Sequence, residues 1–225
     1  MPGAANVTSA NIIVGEADVK VGNSNTAMTL TDFDALTSVG ATQGGVEIAW
    51  EPNMVDIEVD QWGDAAKVIQ STVKVVLKTT LAEATLKNLA LAWNYDNTDS
   101  GSTGADIKNN NDGANTKTFL FGVQSVYPFE RAIQVLGNAP GSDAATTKTR
   151  KFNTKRAISM ETSQIAMKRA EATVFTVGFR LLPVAADVNY EYGKIIDQIG
   201  TLDSIAGTET IIVLRTVKEE FSVKL

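Results

Sequence analysis

The sequence predicts a mainly β chain: an antiparallel β-sandwich or partial barrel with one flanking α-helix at about residues 80–93 and long loops. Three observations lead there. From Val46 to Lys78 apolar and polar residues alternate with the period of two that sends strand side chains to opposite faces. Leu81–Trp93 is the best segment with apolar residues at three- and four-residue spacing, the stripe of an amphipathic helix. Between the patterned segments lie stretches crowded with Gly, Asn, Ser and Asp, the residues of turns.

Residues 1–10 are small and polar and read as a flexible N-terminal arm. Ile12 to Val21 is rich in β-branched residues and is followed by Gly-Asn-Ser-Asn, which predicts a strand and a turn. Thr29 to Thr37, with Asp32 and Asp34 around Phe33, is ambiguous, and Gly40-Ala-Thr-Gln-Gly-Gly45 reads as a flexible link. In the hairpin that follows, Val55, Ile57 and Val59 share one face while Asp56, Glu58 and Asp60 share the other. Gln61 to Asp64 is the turn. Ile69, Ser71, Val73, Val75 and Leu77 then continue one face, with Gln70, Thr72, Lys74 and Lys78 opposite them. A two-faced hairpin of this length needs cover for its apolar side. The helix supplies some through Leu81, Leu86, Leu89, Ala90 and Trp93. Thr79 or Thr80 would cap it, Glu83 would reach back as in a capping box, and Glu83 and Lys87 would pair on its outer face.

Asp96 to Lys117 reads as a long polar loop, and such a loop inside a compact domain is usually functional or disordered. Strands are expected at Phe119–Val126 and Ala132–Leu136, then a turn and a basic cluster of Lys148, Arg150, Lys151, Lys155 and Arg156. Two more β runs cover Ala157–Lys168 and Ala172–Leu182, and a last one Thr210–Leu225. The expected organisation is the arm at 1–10, one β domain over 11–200, and a C-terminal extension at 201–225, itself β.

Composition narrows the chemistry. The 225-residue chain has a formal net charge of −6, which argues against a general nucleic-acid binder with its basic footprint. It has no Cys and no His, so disulfides, Ser-His and Cys-His nucleophile pairs and most zinc, copper and iron sites are excluded. No window holds the ~18 consecutive apolar residues of a membrane helix, and the N-terminus lacks the pattern of a secretory signal. The expectation is a soluble protein made in a cytoplasm, with no cofactor, no metal, no membrane and no catalytic activity.

The motifs that imitate active sites are weak. Ser71-Thr-Val-Lys74 has the Ser-x-x-Lys spacing of acyl-transfer enzymes, but a strand sends the two side chains to opposite faces. Asp96-Asn-Thr-Asp-Ser-Gly101 starts like a calcium loop, yet its twelfth position is Ile107 rather than Glu. No glycine-rich stretch reads as a phosphate loop, and Asn6-Val-Thr8 is a glycosylation sequon only in a secretory setting. Asp56 and Glu58 are a poor carboxylate pair for glycosidase chemistry, with no sugar platform evident beside them. The acidic set Glu47, Glu51, Asp56, Glu58 and Asp60 reads either as a solvated strand face or as a surface kept anionic.

One family resemblance rests on particular residues. The order of strand, Gly40-Ala-Thr-Gln-Gly-Gly45, acidic strand and second long strand resembles the major tail proteins of long non-contractile bacteriophage tails, the subunits of the tail tube. So do Thr80-Leu-Ala-Glu-Ala-Thr-Leu-Lys-Asn-Leu-Ala-Leu-Ala92, Thr173-Val-Phe-Thr-Val-Gly-Phe-Arg-Leu-Leu-Pro183 and Tyr192-Gly-Lys-Ile-Ile-Asp197. The resemblance covers roughly residues 11–200. It implies six-copy rings whose sheets join into an inner barrel and which stack into a hollow conduit, in a virion tail assembled in the host cytoplasm. Implied partners are further copies of the chain, a tape measure protein, tail terminator and tail-tip proteins, and double-stranded DNA in transit.

Within that frame Asp56, Glu58 and Asp60 are expected to face the lumen, partly balanced by Lys74 and Lys78, because a wall that is not basic lets DNA slide. The 96–117 loop and the basic loop at 141–156, with Lys148, Arg150, Lys151, Lys155 and Arg156, are expected to bridge subunits or rings. Three alternatives stay open: the tube protein of a contractile tail or injector, a monomeric β-sandwich binding module using Trp50 or Trp62, and an enzyme using carboxylates or lysine.

Overall fold

A computed structural model describes residues 15–58, 64–96, 107–109, 116–122, 128–142, 147–160, 165, 169, 172–185 and 191–198. The expected arm at 1–10, the extension at 201–225, Val59, Asp60 and Trp62, and most of the 96–117 loop lie outside the described residues.

The chain is mainly β, as its alternation predicts. Among the described residues ten strands and two helices follow in order: β1 (Asp18–Asn23), α1 (Leu30–Asp34), β2 (Thr37–Ser38), β3 (Thr42–Glu58), β4 (Ala65–Leu81), α2 (Leu86–Ala92), β5 (Ile107–Asn109), β6 (Lys117–Phe119), β7 (Arg131–Asn138), β8 (Thr149–Ser159), β9 (Phe175–Leu181) and β10 (Lys194–Asp197). Eight strands form one antiparallel sheet in the order β2-β1-β7-β8-β9-β4-β3, with β10 added on β8. This sheet does not close into a barrel. β5 and β6 form a separate pair.

The core lies between the sheet and α2. Leu77 and Leu81 of β4 sit opposite Phe179 and Phe175 of β9, and Leu89, Leu91 and Ala92 of α2 join the same buried cluster. Val19, Val21, Ile133, Val135 and Phe152 extend it across β1, β7 and β8. Burying each such side chain contributes about 1.5–3 kcal/mol. The other face carries α1, whose Asp34 bonds to Gln134 of β7 and Lys151 of β8.

Three expectations need correction. The helix begins at Leu86, not near residue 80, because Leu81 is still strand: it registers with both Thr42 and Phe175, and those ladder bonds outweigh helix propensity. Its N-cap is therefore Thr85, whose hydroxyl accepts from the amide of Asn88, while Thr79 donates to the Gly45 carbonyl. Glu83 lies before the helix and accepts instead from the amide of Ala41, so it does not form the capping box. The ambiguous 29–37 stretch contains the second helix, α1, closed by a capping box between Thr29 and Asp32. Lastly, the basic stretch expected as a loop is strand from Thr149 onward, paired with β7.

Candidate assembly surface

β3 and β4 are both 17 residues long, and the sheet uses only one end of them. β9 registers with β4 from Val76 to Leu81 alone. Beyond Val76 the hairpin continues as a two-stranded arm. Burial follows this geometry: Val75, Val76 and Leu77 are buried, while every described residue from Asn53 to Glu58 and from Ala66 to Thr72 is exposed. Among the described residues, the outer edge of β3 and the β4 edge from Ala65 to Val75 have no partner strand. Unpaired edges present rows of N–H and C=O groups that template pairing with another chain.

The register explains which side chains the arm presents. Near the sheet, Glu47, Ala49, Glu51 and Asn53 lie opposite Lys78, Val76, Lys74 and Thr72, so these eight share one face. Val46, Ile48, Trp50 and Pro52, opposite Thr79, Leu77, Val75 and Val73, make the other, apolar and core-side face. A β-bulge then intervenes: Asn53 pairs with Thr72 but Met54 pairs with Gln70, leaving Ser71 as an extra residue on β4. On β3 the alternation runs on. The polar face near the sheet therefore becomes, toward the tip, the face of Val55 and Ile57, opposite Ile69 and Lys67. Asp56, opposite Val68, and Glu58, opposite Ala65, fall on the face that carries Trp50 near the sheet.

This arrangement separates the proposed lumen residues. Lys74 forms an ion pair with Glu51 at 3.4 Å, and Lys78 lies opposite Glu47, so neither balances Asp56 or Glu58. Lys74 and Lys78 share a face with Glu47 and Glu51, Asp56 and Glu58 take the other, and Asp60 lies outside the described residues. Ser71, the bulge residue, bonds to Asn53 and not to Lys74, which removes the geometry an acyl-transfer pair would need.

The β3–β4 hairpin holds seven of the large apolar side chains that the described residues expose, Ile48 at its sheet end and Trp50, Met54, Val55, Ile57, Val68 and Ile69 on the arm. Trp50 is 60% exposed and Val68 57%. Single exposed apolar residues are ordinary, but their concentration on one hairpin makes it the candidate assembly surface.

The basic cluster is engaged within the chain. Arg150 makes a bidentate contact to Asp197 at 2.6 Å from both nitrogens. Arg156 holds Glu130 in the same way at 2.7 Å, and Lys151 binds Asp34 at 2.8 Å. The hydrogen bonds from these cations, foremost, hold the carboxyls of Asp197, Glu130 and Asp34 below their ordinary pKa. Lys148 lies at the β7–β8 turn, where its carbonyl accepts from the amide of Ala139, and Lys155 also has a partner. A docking strip for a neighbour's acids would have to break three such pairs.

A second feature escapes sequence reasoning. Trp93, Tyr95, Phe119 and Phe121 form an aromatic cluster with ring centroids 5.2–6.2 Å apart, fixed by Tyr95, whose hydroxyl bonds both the amide and the carbonyl of Gly122. Its rings come from segments more than twenty residues apart, and no local pattern joins them. Among the described residues no group of His, Cys, Asp and Glu could hold a metal, and no helix is long and apolar enough to cross a membrane. No protein-family model matches the chain, and no curated protein matches it.

Proposed function

We propose that this chain is a structural subunit that assembles with copies of itself, of the kind that builds the tube of a bacteriophage tail. The observation that carries the reading is the β3–β4 arm. Its two strands run past the sheet, its edges are unpaired among the described residues, and its tip exposes apolar residues on both faces. An isolated two-stranded hairpin is marginal in water. Pairing such edges with neighbouring copies in a heterologous contact that closes gives a ring, and stacked rings give a filament of fixed radius.

The charges support a conduit for double-stranded DNA. The polar face near the sheet sets Lys74 and Lys78 against Glu51 and Glu47, and the whole chain is acidic. A wall of nearly balanced charge does not collect the counterion-release energy that a basic wall takes from phosphates. Tape measure, terminator and tip proteins would be the further partners of such a tube.

The test is negative-stain electron microscopy of the purified chain over a range of concentration and salt, with sedimentation alongside. Rings or hollow tubes are expected. A chain that stays monomeric at its highest attainable concentration, and whose arm variants sediment like the parent, overturns the proposal.

A further inference from the structure

Away from the arm, Arg131 Nε, Gln134 Oε1 and both polar atoms of the Asn153 side chain are buried without a hydrogen bond, and of these three side chains Asn153 is the one with neither polar atom paired. The Asn153 side chain is only 3% exposed, yet neither its Nδ2 nor its Oδ1 makes a hydrogen bond. A buried amide left unpaired is costly, and the great majority of such groups in folded proteins are paired. Asn153 sits mid-strand on β8, in register with Gln134 on one side and Lys194 on the other, and so cannot turn away from the sheet without breaking the ladder.

Asn153 lines a cavity of about 180 Å³ between α1, β8 and the start of β10. A water needs about 10–15 Å³ of such space, so the cavity has room for a group larger than a single water. Leu30, Phe33 and Val184 give the cavity an apolar wall. The other polar side chains that line it are already engaged. Thr29 bonds with Asp32, Lys194 pairs with Glu191 at 3.3 Å, the Tyr192 hydroxyl donates to the Val73 carbonyl, and Lys155 has its own partner. Gly193 keeps the rim close, since a Cβ there would lie 2.7 Å from the Asn153 carbonyl oxygen.

We propose that this cavity is a binding site for a neutral amide, a group presenting C=O and N–H side by side. Its carbonyl would accept from Asn153 Nδ2 and its N–H would donate to Oδ1, while an aliphatic part rests against Leu30, Phe33 and Val184. A carboxylate would offer only acceptors and an ammonium only donors, so each would leave half of Asn153 unpaired. The C=O and N–H pair comes either from a small primary carboxamide, whose C=O and one N–H are syn, or from a single residue of an extended polypeptide, whose own N–H and C=O point the same way because each trans peptide group sets its two polar atoms on opposite sides.

The experiment uses the ¹⁵N-labelled full chain and two probes, propionamide and N-acetylvaline N′-methylamide. The expected result is a saturable shift of the Asn153 side-chain NH₂ resonances. In Asn153→Leu, affinity read from backbone resonances of Leu30 and Gly193 should fall at least tenfold. Tighter binding of the capped valine identifies the polypeptide source, and tighter binding of propionamide the small-molecule source. Asn153→Asp, which lacks the donor, serves the same comparison if the leucine variant does not fold. Absence of a saturable shift with both probes, or undiminished binding in the variant that folds, overturns the proposal and leaves solvent as the occupant.

Discussion

Asn53 and Ser71 close the bulge in the arm: Asn53 Nδ2 donates to Ser71 Oγ at 2.9 Å, and the same hydroxyl donates to the Asn53 carbonyl at 3.3 Å. Ser71 is the extra residue on β4, and removing it restores a continuous register. Deleting Ser71 leaves Ile69 opposite Val55 and Val68 opposite Asp56, so the side chains keep their faces and only the extra twist of the bulge is lost. The deletion variant should therefore keep the far-UV circular dichroism of the parent and should still self-associate by sedimentation. Loss of self-association would show that the twist of the bulge itself is needed for assembly. Ser71→Ala keeps the residue count and removes only exposed hydrogen bonds, so its cost should stay near the low end of about 0.5–1.5 kcal/mol.

Val55 and Ile57 are each a little over 40% exposed, on a face that is polar nearer the sheet. Val55→Asp and Ile57→Asp should each abolish or strongly weaken assembly. Neither should change monomer stability by more than about 0.5 kcal/mol, the usual range for surface substitutions. Chemical unfolding at low concentration and electron microscopy at high concentration separate the two effects. A loss of monomer stability instead would show that these side chains pack within their own chain.

Much of this architecture is legible in the sequence, and the departures have identifiable causes. Alternation exposes the β3–β4 hairpin, including the opposite placement of Val55 and Asp56, because period two is a property of the strand alone. It gives no sign of the bulge. Ser71 is an acceptable strand residue, and only the partner strand reveals that one residue is in excess. The helix start fails for a related reason: Leu81 belongs to a helical stripe by spacing, yet tertiary pairing with Phe175 claims it for the sheet. The basic cluster is visible as composition, but Asp34, Glu130 and Asp197, which engage it, lie up to 117 residues away in the chain. Asn153 gives no local signal at all, since its burial depends on α1 and β10 closing over β8.

Those three ion pairs set an acid limit on stability. The carboxyls of Asp34, Glu130 and Asp197 have folded pKa values below their unfolded ones. Their contribution is complete above the unfolded values, about 3.9 for Asp and 4.3 for Glu, and is lost as pH falls through the folded values. All the pairs are partly exposed, so solvent screening keeps each below about 1 kcal/mol. Urea unfolding at pH 7 and at pH 2.5 should show parent stability falling with acid. Arg156→Met should be weaker at pH 7, and the gap should narrow at pH 2.5 to the part held by the acid-insensitive bond from Arg156 Nη1 to the Pro183 carbonyl. A constant gap between the two would assign the loss to the Pro183 carbonyl bond and packing of the arginine stem rather than to the Glu130 pair.

Gly40 and Glu83 are coupled through a contact that only glycine permits. Gly40 has φ of +84°, and a Cβ there would lie 2.2 Å from Glu83 Oε1, the atom that accepts from the Ala41 amide at 2.9 Å. Gly40→Ala thus meets two penalties, the left-handed backbone, about 1–3 kcal/mol, and displacement of the carboxylate that ties the link before β3 to the segment before α2. Glu83→Ala removes that tie but leaves room for a methyl group at position 40. The double variant should be less destabilised than the sum of the two single variants, because the steric overlap counted in Gly40→Ala no longer exists once the carboxylate is gone. Strict additivity in chemical unfolding would place the whole cost of Gly40→Ala in its backbone angle and leave the carboxylate contact without consequence.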